Sequence, residues 1–94
     1  MNPISLSTKD IAALKARAHH LNPVVMVGQH GLTDAIIQET ERNLAAYELI
    51  KVQVAGDDRA ERLAVAEALC TATEALLVQH IGKQLVLFRP KPEQ

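Results

Sequence analysis

Gly28-Gln29-His30-Gly31 stands between an apolar run and Thr33, a residue type that caps helices. Two residues without Cβ let backbone come close to a sugar-phosphate strand, and the free N–H groups of a helix start offer donors to an anion. A loop of this form clamps single-stranded nucleic acid in KH domains. The same two glycines can also do no more than satisfy turn dihedrals. His30 is placed either to stack on a base and donate to phosphate, or to be an ordinary exposed turn residue. Lys15, His19, Lys83 and Arg89 are further candidate phosphate partners, and Arg89 can hold an anion in bidentate fashion. Asp34 works mildly against them, because a carboxylate in the first turn of a helix competes with phosphate for the same dipole.

Other chemistries find less support. His19-His20 are adjacent on a helix and so point apart, and His80 has no Cys or acidic residue at metal-ligand spacing, so no metal site is expected. Asp57-Asp58 reads as a helix-capping pair, not an acid and base, and Ser5 and Ser7 lack the surroundings of a nucleophile. Cys70 falls on the apolar face of a predicted helix and reads as a small buried hydrophobe. The chain is therefore expected not to be an enzyme, and to need no cofactor and no small-molecule substrate.

The elements that must position the loop follow from periodicity. Ser7 can cap a first helix whose apolar stripe is Ile11, Leu14, Ala18 and Leu21, with Lys15 and His19 together on its flank and Asn22-Pro23 ending it. Val24-Val25-Met26-Val27 predicts a short strand covered on both faces, running directly into the glycine loop. Thr33 then caps a helix carrying Ile36, Ile37, Thr40 and Leu44. Leu49 to Val54 alternates, with Ile50, Val52 and Val54 on one face and Lys51 and Gln53 on the other. Asp58 with Glu61 resembles a capping box opening a third helix through Leu63, Ala66, Leu69 and Cys70. Leu76 to Ile81 and Gln84 to Arg89 predict two strands joined by Gly82-Lys83 in a type II′ turn, and Pro90 and Pro92 stop the last.

The order αβαβαββ predicts an α/β fold: one compact domain over residues 1–94, with a mixed four-stranded sheet, three helices and a short polar tail from about residue 91. Strand order does not follow from it. With 94 residues, 48% of them apolar and only Tyr47 and Phe88 aromatic, the core must be small and aliphatic, and intrinsic disorder is excluded. The lone cysteine excludes an internal disulfide framework. No apolar run approaches the length of a membrane span, and Met1-Asn2-Pro3-Ile4 does not open like a secretory signal, so a soluble, cytoplasmic protein without a membrane partner is expected.

The formal charge of −1 conceals a pattern. Residues 1–31 carry a net +2, residues 32–75 have four basic against nine acidic side chains, and residues 76–94 return to +2. A polyanion should therefore meet a surface built from the two ends of the chain, if the fold brings them together.

Several separated segments carry a resemblance: Leu14-Lys15 with Ala18-His19, Pro23-Val24-Val25, Gly28 to Thr33, Glu48 to Val52, Asp58-Arg59, and Ile81 to Pro90. In order and spacing they are similar to the CRM domain of the bacterial YhbY type, over nearly the whole chain. The resemblance implies a fold like that of the C-terminal domain of translation initiation factor three. It implies an RNA-binding protein, the stand-alone bacterial members associating with ribosomal RNA in precursors of the large subunit and acting in its assembly. It also implies that Gly28, Gln29, His30 and Gly31 contact RNA, with Lys15, Lys51, Lys83 and Arg89 as basic support. Tyr47 replaces a common His and Phe88 a common Tyr. Many such members are basic, whereas this chain has a pI of about 6.4 and ends Pro90-Lys91-Pro92-Glu93-Gln94. Since non-specific affinity comes mainly from phosphate neutralisation, that balance predicts weak binding to naked RNA, with ribosomal-protein contacts contributing. The alternative reading is a protein-interaction module whose acidic middle docks a basic ribosomal protein, RNA contact being incidental.

Overall fold

In the computed structural model, which describes residues 6–91, the first element is α1, Thr8–Ala18. Ser7 accepts from the Asp10 N–H at 3.1 Å while the Asp10 carboxylate accepts from the Ser7 N–H at 3.2 Å, so the short Asp closes a capping box where Glu or Gln is usual. The helix ends at Ala18, before Asn22-Pro23, and Leu21 is held by its N–H to the Ala18 carbonyl at 3.0 Å. Strand β1 (Pro23–Val27) leads to α2 (Asp34–Tyr47), β2 (Leu49–Val54), α3 (Arg59–Thr73), β3 (Leu76–Ile81) and β4 (Gln84–Phe88). The αβαβαββ order and the mixed four-stranded sheet are those expected.

The strand order is β1-β2-β4-β3, with β1 parallel to β2 and both other pairs antiparallel. Helices α2 and α3 cover one face, where Val25, Val27, Ile50, Val52, Val54, Leu85 and Leu87 meet Leu44, Ala66 and Leu69. Helix α1 lies on the other, where Leu14 and Ala18 pack with Leu49, Val78 and Val86. Helix α1 thus packs on β3 and β4, but the cations of those last strands are not gathered beside it: Lys83 sits in the hairpin turn against Asp57, and Arg89 follows β4 at the other end against Glu41.

Three expectations need correction. Strand β1 is covered on one face only: Val24 is 42% and Met26 67% exposed, because β1 lies at the sheet's edge and α1 packs over β2, β4 and β3. In α3 the buried stripe is Arg62, Ala66, Leu69 and Thr73, while Leu63 stays 37% exposed. Arg62 occupies the inward position because it has carbonyl partners there. Asp58 caps α3 through the Ala60 and Glu61 N–H groups, but the reciprocal Glu61 bond of a capping box is not formed. The hairpin turn is of the expected kind, since Gly82 has φ 55° and Lys83 is not among the residues with positive φ. The polar tail beyond Lys91 and the start of the chain lie outside the described residues.

Candidate nucleic-acid interface

The parallel pairing of β1 with β2 and the antiparallel return of β4 bring three connections to one end of the sheet. These are the glycine loop after β1, the Ala55–Asp58 segment after β2, and the Gly82-Lys83 turn. The Ala55 N–H donates to the Val27 carbonyl and the Val54 N–H to the Lys83 carbonyl, each at 2.8 Å. Both α2 and α3 begin at this end.

The glycine loop closes through the Gly31 N–H donating to the Gly28 carbonyl at 3.0 Å, leaving Gly28, Gln29 and His30 exposed. Leu32 and Ile37, which flank the Thr33 cap, both pack against the larger core in the pattern of a hydrophobic staple and fix where the loop ends. The two glycines differ. Gly31 has φ 79°, the left-handed region where an L side chain is strained. Gly28 has no positive φ, and a Cβ built on it would meet nothing within 4 Å. Neither dihedral nor packing inside the protein asks for glycine at Gly28, so its bare backbone is a feature offered outward.

The groove between this loop and α3 is lined by Gln29, Gly31, Gly56, Asp57, Glu61 and Arg62, among others. Its two carboxylates disfavour a phosphate there. Lys83 lies 3.2 Å from Asp57, but the lysine side chain is half exposed and the aspartate almost fully so. Such a pair is weak and exchanges readily for another anion.

On the α1 side of the sheet the balance is reversed. A cleft of about 160 Å³ is lined by His19, Lys51, Gln79, Ile81 and Gln84 together with Ala18 and Val86, with no carboxylate. Across the sheet end beside the glycine loop, Met26, Gln53, Gln84 and Ile81 form one register row. Lys15 lies exposed on α1, in the last turn with Arg17. The structure thus places Gly28 to Gly31 and Lys83 at one end, with Lys51 and His19 further along the α1 face.

Arg89 is placed elsewhere. It follows β4 at the far end of the sheet, about 20 Å from the glycine loop at the usual rise of a strand. There its guanidinium donates to the Thr73 carbonyl at 2.9 Å and meets Glu41 at 2.6 Å, a hydrogen bond that lowers the Glu41 pKa and raises that of Arg89.

The residue that sequence reasoning missed is Arg62. Only 8% exposed, it donates from Nε to the Gly82 carbonyl at 3.0 Å and from Nη1 to the Gly56 carbonyl at 2.8 Å. It therefore ties the hairpin turn that carries Lys83 to the segment that carries Asp57. Its spacing of four before Ala66 and seven before Leu69 was the available signal, since that places a cation on the core-facing stripe. Cys70 is half-buried against the larger core, and burial, with Glu67 nearby, pushes its thiol up to about 11.

Among known proteins the chain is 51% identical over 89 residues to an RNA-binding protein of Haemophilus influenzae, covering 95% of this chain and 90% of the relative. It is 39% identical to the Bacillus subtilis protein YqeI, named a probable RNA-binding protein, over 94% and 92% of the two chains. The solution structure of SAV1595 from Staphylococcus aureus, described as a candidate RNA binding protein, superposes with a TM-score of 0.83. Its sequence identity is 32%, and the match covers 95% of this chain and 93% of the other. The family model for the CRS1 / YhbY (CRM) domain matches residues 6–89, which takes in all seven elements and the glycine loop, and the chain belongs to that family.

Proposed function

We propose that this protein is a non-catalytic RNA-binding domain that attaches to ribosomal RNA in precursors of the large ribosomal subunit and assists their assembly. The observation that carries the reading is Gly28, a glycine that the protein's own turn does not need, in an exposed loop ahead of a helix start. Relatives named as RNA-binding proteins support the RNA part. RNA backbone approaches Gly28 and the exposed His30 and Gln29, and leaves the loop on the α1 side, away from Asp57 and Glu61. Lys83 exchanges its exposed partner for a phosphate, and Lys51 and Lys15 lie further along the same side.

The test is sedimentation of a cell extract on sucrose gradients at two salt concentrations, with wild type beside a variant in which Gln29 and His30 are both replaced by Glu. Wild type running with large-subunit precursors, in a ribonuclease-sensitive manner, and the variant at the top of the gradient is the expected result. Both at the top removes the ribosomal reading.

A second reading draws on the acidic middle of the chain, where Glu39 of α2, Glu61 and Glu67 of α3 and Glu74 at the end of α3 are all exposed. A basic ribosomal protein docking there predicts co-sedimentation that persists in the doubly acidic loop variant and is lost when these glutamates are replaced by Gln.

A further inference from the structure

A second cleft, of about 480 Å³, opens on the α1 side at the end of the sheet away from the glycine loop. Arg17, His20, Val24, Tyr47, Leu49 and Lys51 are among its lining residues, and no Asp or Glu is. Tyr47, the last residue of α2, is 64% exposed, and Val24 beside it 42%. Glu48 follows Tyr47, but its carboxylate accepts from the Lys91 N–H at 2.7 Å and does not line the cleft. Among the described residues, neither Arg17 nor Lys51 makes an ion pair.

An exposed aromatic ring with an aliphatic neighbour, flanked by two unpaired cations and an imidazole, is a combination that suits one ligand chemistry. The ring offers a stacking surface to a π-face, and Arg17 and Lys51 offer charge to the phosphates on either side of it. We propose that this cleft takes an unpaired base of single-stranded RNA, stacked on Tyr47, with Arg17, His20 and Lys51 contacting the adjoining backbone. The assignment rests on the RNA-binding reading above and adds a second contact to it. Lys51 lines both this cleft and the smaller one that reaches Ile81 and Gln84. The single strand therefore runs from the glycine loop, across the exposed Met26 to Ile81 row that α1 leaves uncovered and past His19, to Tyr47.

Tyr47 is the only tyrosine and there is no tryptophan, so its ring resonances in a proton NMR spectrum are unambiguous, and the half-buried Phe88 provides an internal reference. The probe is a single-stranded RNA of about eight nucleotides, within the site sizes usual for single-strand surfaces. On titration the Tyr47 ring protons should shift upfield while those of Phe88 hold still. Tyr47→Ala should weaken binding about tenfold and Tyr47→Phe should retain it, since stacking needs the ring and not the hydroxyl.

A Tyr47 ring that does not move in the RNA-bound wild type, with Tyr47→Ala binding as tightly as wild type, overturns the proposal. If the doubly acidic loop variant loses RNA at the same time, the function proposed above stands without this contact. If wild type binds no RNA, both fall together. Because the wild-type spectrum gives the ring shift directly, a variant that fails to fold does not leave the question open.

Discussion

The Arg89 guanidinium and the Glu41 carboxylate meet at 2.6 Å at the end of the sheet remote from the glycine loop, while Arg89 also donates to the Thr73 carbonyl. The pair joins the end of β4 to α2, and the second bond joins it to the end of α3. Its first consequence concerns acid. Glu41 has a lowered pKa in the folded protein, so its contribution to stability is complete above the ordinary carboxylate range and is lost as pH falls through the lowered folded value. Below about pH 4, Glu41→Gln should show a flatter fall in stability than wild type. At neutral pH it should cost no more than about 1 kcal/mol, because the carboxylate is half exposed. Thermal unfolding across pH 3 to 7 checks both.

The same geometry separates Arg89 from Lys83, two cations that the sequence offers as equivalent. Lys83→Ala should reduce the slope of log affinity for single-stranded RNA against log salt by about 0.7, the loss of one phosphate contact. Arg89→Ala should leave that slope unchanged and instead lower stability by about 1 to 2 kcal/mol, through loss of charge-assisted hydrogen bonds. Binding isotherms at four salt concentrations, with a melting curve for each variant, distinguish the two effects.

Most of the fold was legible because its signals are local. Ser7, Thr33 and Asp58 each cap the helix expected of them, and alternation in Leu49 to Val54 places Lys51 opposite Ile50 and Val52. What the sequence could not show depends on contacts distant along the chain. Whether Val24 and Met26 are covered depends on where α1 lies, and α1 is placed by Leu49, Val78 and Val86. Arg62 reads as a solvated cation until Gly56 and Gly82, six and twenty residues away, are known to present carbonyls to it. The glycine loop was visible as a motif, but only the dihedrals separate Gly31, needed by the turn, from Gly28, which is not.

Arg62→Met keeps the apolar stem of the side chain but leaves the Gly56 and Gly82 carbonyls without their donor. The expected cost is about 2 kcal/mol, the scale of hydrogen bonds from a charged group. The loops should also loosen before the sheet does. Hydrogen exchange should speed up at Ala55 and Val54, whose N–H groups bond across this end, while amides of the buried Leu85 and Leu87 remain protected up to global unfolding. Uniform acceleration at all four would show that Arg62 supports the whole fold instead of this end.

His80 sits on β3 opposite Leu85, on the sheet face covered by α2 and α3, and both ring nitrogens are buried without a hydrogen-bond partner. Removing an unsatisfied polar group while keeping apolar bulk is neutral or stabilising. His80→Leu should therefore raise stability by up to about 1 kcal/mol, and leave RNA affinity unchanged. Destabilisation in a chemical denaturation experiment would mean that the imidazole has a partner in solution.

The two loop glycines give the sharpest separation of folding from binding. At Gly28 an added methyl meets open space and no unfavourable φ, so Gly28→Ala should change stability by less than about 0.5 kcal/mol, with a small gain as the more natural sign because the unfolded chain loses freedom. If RNA backbone packs against that position, the same methyl should weaken binding on the order of tenfold, the equivalent of about 1.4 kcal/mol. At Gly31 the φ of 79° makes alanine strained wherever the methyl points, and Gly31→Ala should cost about 1 kcal/mol of stability. Melting temperatures and RNA isotherms for the two variants together decide the matter. Should Gly28→Ala fold and bind as wild type does, the backbone of the loop is not the surface that RNA approaches, and the exposed side chains of Gln29 and His30 must supply the contact alone.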